Sequence, residues 1–128
     1  MKILIADDSA MVCDRLASIL SPIEGVSVVG AAHDISGAID RIEKLRPEVV
    51  ILDICMPGGT GFEVLYKVRK MDLNPVIIML TNYPFPQYRE KCIAEGADFF
   101  FDKSTELEKV IDVCTRLGEQ SDHVLSMN

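Results

Sequence analysis

No apolar run in this chain is long enough to cross a bilayer, and its first residues do not form a charged leader followed by an apolar stretch. Membrane insertion and secretion are therefore not expected. No CxxC spacing relates the four cysteines, Cys13, Cys55, Cys92 and Cys114, which argues against a zinc centre or a disulfide framework. Free thiols in a reducing, cytoplasmic compartment are the simpler expectation. There is no surplus of basic charge: 13 Lys and Arg stand against 20 Asp and Glu, for a net charge of −7. A phosphate-backbone surface needs clustered cations, so nucleic acid is not an expected partner. Finally, no internal repeat, low-complexity tract or linker-like stretch divides the chain.

What is present is one domain's worth of ordinary globular sequence. The chain has 128 residues, 48% hydrophobic and 26% charged, enough to bury a sizeable core. Short apolar runs alternate with amphipathic stretches. Ile3–Ala6 reads as a buried strand, followed by a helix with Val12, Leu16, Ile19 and Leu20 on one face and Ser9 as its cap. "VSVVGAA" (26–32) is a second strand. Ile35, Ala38, Ile39, Ile42 and Leu45 mark a second helix, which stops before Pro47. "VVIL" (49–52) is a third strand, and after the turn "PGGTG" Phe62, Leu65 and Val68 recur at helical spacing. "VIIML" (76–80) and "FFF" (99–101) are the fourth and fifth strands. A weak helix over about 87–95 lies between them, and a clear one carrying Leu107, Val110, Ile111, Cys114 and Leu117 follows. Residues 119–128 read as a loose tail or the start of a linker beyond a domain covering 1–118. Continuous apolar strands alternating with helices predict an α/β fold, a parallel sheet covered on both faces.

In such a sheet, ligands bind beyond the carboxyl ends of the strands. Those ends carry Asp7 and Asp8, then Asp53, Thr81 and Lys103. Two adjacent carboxylates at a strand end repel one another and are partly desolvated, so a cation there would relieve a real cost. Mg²⁺ takes oxygen ligands, commonly one or two carboxylates with water and phosphate oxygens. Asp8 and Asp53 suit that role, with Asp7 acting directly or through water. A carboxylate can also be a nucleophile that forms an acyl phosphate. The metal and the Lys103 ammonium would then neutralise phosphoryl oxygens, and the Thr81 hydroxyl could donate to one of them.

At these residues the sequence resembles the receiver domain of two-component response regulators. The acid pair, "DICMPGGTG", "MLTN" and "FFFDKS" stand in family order and spacing over about residues 1–118. The resemblance implies a flavodoxin-like, doubly wound five-stranded sheet in the order 2-1-3-4-5. It implies that Asp53 accepts a phosphoryl group from a histidine kinase or phosphotransfer protein. It also implies that Asp7, Asp8, Asp53 and the backbone carbonyl of Cys55 hold Mg²⁺. Thr81 and Lys103 would contact the phosphoryl group, and Phe100 would be the switch aromatic that reorients as Thr81 moves. Signal would pass to the face formed by the fourth helix, fifth strand and fifth helix, where self-association or partner docking is expected, the apolar "FFF" strand being its motivation. Such a domain catalyses only its own phosphorylation and dephosphorylation and is not an enzyme in the metabolic sense. Three positions depart from the common family pattern: Ser104 replaces a proline, Asn82 a smaller residue, and Phe100 a tyrosine.

Each residue alone has a plainer reading. Asp7 or Asp8 could cap the helix after Ser9, Lys103 could be a solvated strand-end lysine, and His33 and His123 look like solvent residues. It is the joint occurrence that points to function. A haloacid-dehalogenase-like phosphatase would carry a DxD pair on its first strand and a cap domain. A flavodoxin-like electron carrier would need a hydroxyl- and glycine-rich loop where "DDSAMV" stands. "PGGTG" lacks the GK[ST] ending of a P-loop. A degenerate receiver that only docks partners is the remaining alternative, and the ten or so residues after the last helix are too few for a helix-turn-helix domain.

Overall fold

A computed structural model describes residues 1–127, with side chains through residue 120. Five strands, β1 (Lys2–Ala6), β2 (Ser27–Ala32), β3 (Val49–Leu52), β6 (Val76–Thr81) and β7 (Phe99–Asp102), form one parallel sheet in the order β2-β1-β3-β6-β7. Counting only these five gives the predicted order 2-1-3-4-5. The fold is therefore the flavodoxin-like, doubly wound α/β architecture expected from the sequence. The central strands are apolar throughout because both sheet faces are covered: every residue of β3 and five of the six in β6 are buried.

Five helices supply the covers. α1 (Ala10–Leu20) and α5 (Leu107–Met127) enclose one core with Ile3, Ile5, Ile51, Ile78 and Leu80. α2 (Ile35–Leu45), α3 (Gly61–Lys70) and α4 (Pro86–Ala94) enclose the other with Leu4, Leu52, Ile77, Met79 and Phe100. The helix starts follow local chemistry. The Ser9 hydroxyl accepts from Val12 N at 3.2 Å, and Asp34 accepts from Gly37 N at 2.6 Å. At α3, Glu63 accepts from Thr60 N at 3.2 Å. α2 ends at Arg46 in the left-handed conformation, φ 47°, immediately before Pro47. α4 is the weakest helix, as its pattern foretold; Cys92 is its one buried residue.

Two local features differ from expectation, and the packing of β7 follows it. The "PGGTG" stretch is not a plain turn but the tip and return arm of a small antiparallel ribbon, β4 (Cys55–Met56) with β5 (Gly59–Thr60), in which Gly58 adopts φ 94°. Residues 119–127, read as a loose tail, continue α5; the side chains from 121 on, His123 among them, and residue 128 lie outside the described residues. The three phenylalanines of β7 turn inward. Phe100 is buried in the α2–α3–α4 core, while Phe99 and Phe101 stack on each other against the α1–α5 side with ring centroids 5.8 Å apart. Phe99 and Phe101 remain half-buried, and the larger exposed apolar groups nearby are Phe85 and Ile93, at the start of α4 and within it. No described helix is long and apolar enough to cross a membrane.

Candidate functional site

β1, β3, β6 and β7 all run the same way, so their last residues meet at one edge of the sheet. Asp7 follows β1 and Asp53 follows β3; both are buried. Thr81 closes β6 and is fully buried. Lys103 follows β7, and its backbone N–H donates to the Thr81 carbonyl at 2.9 Å. The sequence pattern therefore brought together residues as much as 96 positions apart, as in the pair Asp7 and Lys103.

The Lys103 ammonium lies between two carboxylates, with Nζ 2.5 Å from Asp7 Oδ2 and 3.0 Å from Asp53 Oδ2. Asp7 Oδ1 accepts from Ser9 N at 2.9 Å, and Asp53 Oδ1 accepts from Ile54 N at 2.7 Å. Asp8, the exposed member of the trio, completes a group in which one carboxylate oxygen from each of Asp7, Asp8 and Asp53 lies within 4.8 Å of the others. Burial pushes the Asp53 carboxyl above its ordinary value, and the opposing charge and hydrogen bond of Lys103 only partly reverse this. Burial pulls the Lys103 ammonium down, but its hydrogen bond to Asp7 and its charge and hydrogen-bond interactions with Asp53 outweigh burial and leave it raised.

An all-oxygen set of three acids suits a hard divalent cation. Around octahedral Mg²⁺ at about 2.1 Å, adjacent ligand oxygens stand about 3.0 Å and opposite ones about 4.2 Å apart. Small side-chain rotations would close the observed cluster to that size, so the residues present fit the ion. Cys55, whose backbone carbonyl was the expected further ligand, sits two residues beyond Asp53 in β4 with its side chain exposed. Thr81 Oγ1 accepts from Tyr83 N at 3.0 Å, tying the hydroxyl to the start of the following loop. Phe100 points into the core, 5% exposed, on the opposite side of β7 from its two neighbours.

Several supporting residues had no signature in the sequence. His33, read there as a solvent residue, is exposed yet places Nδ1 3.0 Å from the Asp7 carbonyl oxygen. Gly61 approaches the backbone behind Asp53 so closely that its N–H donates to Ile54 O at 2.6 Å. Arg69 fastens the end of α3 to the far rim of the sheet, donating to Gly96 O at 2.7 Å and Pro75 O at 2.9 Å.

Comparison with known proteins identifies the family and the fold. The family described as response regulator receiver domain matches residues 3–115, and the chain belongs to it. Transcriptional regulatory protein DesR of Bacillus subtilis is 33% identical over 110 residues, covering 86% of this chain and 54% of that protein. The chain thus spans about half the length of the curated relatives it matches. Among solved structures, a LuxR-family DNA-binding response regulator from Staphylococcus aureus superposes with a TM-score of 0.83 at 30% identity, over 91% of this chain and 98% of that one. The CheX–CheY–BeF3–Mg²⁺ complex of Borrelia burgdorferi contains a similar chain, with a TM-score of 0.77 at 28% identity and 88% coverage of each.

Proposed function

We propose that this receiver domain is a phosphorylation switch in which Asp53 takes a phosphoryl group from the phosphohistidine of a histidine kinase or phosphotransfer protein. The observation that carries this reading is the convergence of Asp7, Asp8, Asp53 and Lys103 on one sheet edge, with an ammonium bridging two buried acids. An Asp53 oxygen attacks phosphorus, the O–P bond forms as the N–P bond breaks, and the imidazole leaves with the electron pair. Asp7, Asp8 and Asp53, with the Cys55 carbonyl, would hold Mg²⁺. When bound, the ion supplies charge neutralisation for the phosphoryl oxygens and relieves repulsion among the acids. Lys103, 3.0 Å from Asp53 Oδ2, adds a second positive charge, held in place by Asp7 until the phosphoryl group arrives.

The Thr81 hydroxyl is the group poised to respond. To contact a phosphoryl oxygen it would change its relation to Tyr83 N, and the loop leading into α4 would move with it. Phe100 and Cys92 of α4 belong to the same core, so a shift of that helix would change the packing around the ring. A pre-existing two-state equilibrium biased in this way would alter the face of α4, β7 and α5, where a partner, an output domain or a second copy would dock. With Phe99 and Phe101 half-buried and stacked on each other, the most exposed apolar docking group on this face would be Ile93 of α4. The domain would act in the cytoplasm and turn over no metabolite, processing only its own aspartyl phosphate.

Intact-mass spectrometry tests the reading. Incubation with Mg²⁺ and acetyl phosphate is expected to add one phosphoryl group to the wild type and none to Asp53→Asn. No gain by the folded wild type would leave a domain that docks without being phosphorylated.

A further inference from the structure

Asp7 is held at each of its polar atoms. Its N–H donates to Ala32 O at 3.0 Å, its Oδ1 accepts from Ser9 N at 2.9 Å, and its Oδ2 accepts from Lys103 at 2.5 Å. Its carbonyl oxygen, the last of the four, faces the ring of His33 at 3.0 Å, with the Cys13 thiol a weaker second donor at 3.6 Å. A carbonyl has no proton to give, so Nδ1 of His33 is the donor. This contact stands where the β1–β2 ladder stops: β2 ends at Ala32, and Asp34 already serves as the N-cap of α2. A side chain has taken over from the backbone at the strand end.

We infer that His33 is a positioning residue for the cation site. Through the Asp7 carbonyl it fixes the peptide between Asp7 and Asp8, and with it the aim of the Asp8 carboxylate. The peptide group is planar, so setting the direction of one carbonyl sets the Asp8 N–H and the bond to the Asp8 Cα. Asp8 is the exposed acid of the trio, the one that burial does least to hold in place. Loss of an outer partner that orients the residues of a metal site commonly costs about tenfold to a hundredfold in metal affinity. The inference rests on the reading that these acids hold a divalent cation, and it adds a residue from β2's end to a site otherwise built from β1, β3, β6 and β7.

The test is Mg²⁺ binding to the full chain, followed by amide NMR shifts in the absence of any phosphodonor. Wild type, His33→Ala, His33→Asn and His33→Gln are compared, each with a thermal melt. The Asn side-chain nitrogen lies about where Nδ1 does, whereas that of Gln reaches toward the position of Nε2. His33→Ala is expected to weaken Mg²⁺ about tenfold, the lower end for loss of an outer partner. His33→Asn should recover most of that loss and His33→Gln little of it, with all four melting within a few degrees of one another.

Wild-type affinity in His33→Ala would overturn the inference, as would equal weakening in Ala and Asn, or a melting temperature that falls in step with affinity. A wild type whose shifts ignore Mg²⁺ would overturn the cation reading itself, and this inference with it. That outcome is distinct from a binding wild type that is indifferent to His33.

Discussion

Gly61 offers the sharpest test of how the site is held. A Cβ built there would lie 2.3 Å from the Asp53 carbonyl oxygen and 3.0 Å from the Ile54 Cα. Carbon–oxygen contacts settle at about 3.3 Å or more, so Gly61→Ala requires a separation of about 1 Å between the start of α3 and the segment carrying Asp53. Both neighbours are backbone, and no side chain can swing aside. Forced overpacking of this kind costs about 1–3 kcal/mol. Removing a helical glycine returns up to about 1 kcal/mol through propensity and unfolded-chain entropy. The net expectation is a loss of about 1–2 kcal/mol, a fall in melting temperature of about 3–10 °C for a domain of this size. The effect on chemistry should be larger, because a displacement of about 1 Å at a reacting group can cost up to about a hundredfold in rate. Thermal melts followed by circular dichroism and phosphorylation followed by intact mass would measure the two effects side by side. Gly30→Ala is the control, since its new methyl would meet only side-chain carbons of Leu45 and Leu4, at 3.4 and 3.6 Å. Wild-type stability together with a wild-type phosphorylation rate in Gly61→Ala would refute the argument.

Three further outcomes are expected. Because burial, ahead of the opposing pull of Lys103, raises Asp53, the folded chain holds that proton more tightly than the unfolded chain, and stability is lost as pH climbs through the raised value. Asp53→Asn cannot ionise, so it should melt above wild type at pH 7 and lose the advantage as pH falls below the ordinary value of 3.8; paired melts at the two pH values check this. Cys13, Cys92 and Cys114 are buried and pushed up to about 11, whereas Cys55 is exposed, so brief alkylation of native protein should give one adduct, at Cys55 by peptide mass. Arg69→Ala removes donors from the Gly96 and Pro75 carbonyls and from Asp98, and should cost about 1.5–3 kcal/mol in denaturant melts while leaving phosphorylation at the wild-type rate.

Strands and site were legible in the sequence for one reason. A parallel sheet sandwiched between helices demands uninterrupted apolar runs, and the residue after each run is forced to the same edge. "ILIA", "VVIL" and "VIIML" announce themselves, and Asp7, Asp53 and Thr81 follow by position alone. The β4–β5 ribbon was hidden because two residues per arm carry no periodicity. His33 and Arg69 were illegible for a different reason: each acts on a backbone carbonyl, and an acceptor that every residue possesses leaves no mark in sequence.

The bridge between Lys103 and the acids has a consequence for how the chain is made. Asp7 and Lys103 are separated by 96 positions, and β7, which delivers the lysine, is an edge strand that pairs only with β6. Closing a contact of such long range costs chain entropy that the intervening elements must offset. A nascent chain that has emerged through β6 already holds Asp7, Asp8 and Asp53 but has no ammonium to set between them. Its acids repel one another, and its sheet ends in an unpaired strand. A chain cut short of β7 therefore lacks both the lysine that bridges the acids and the strand that covers the edge of β6.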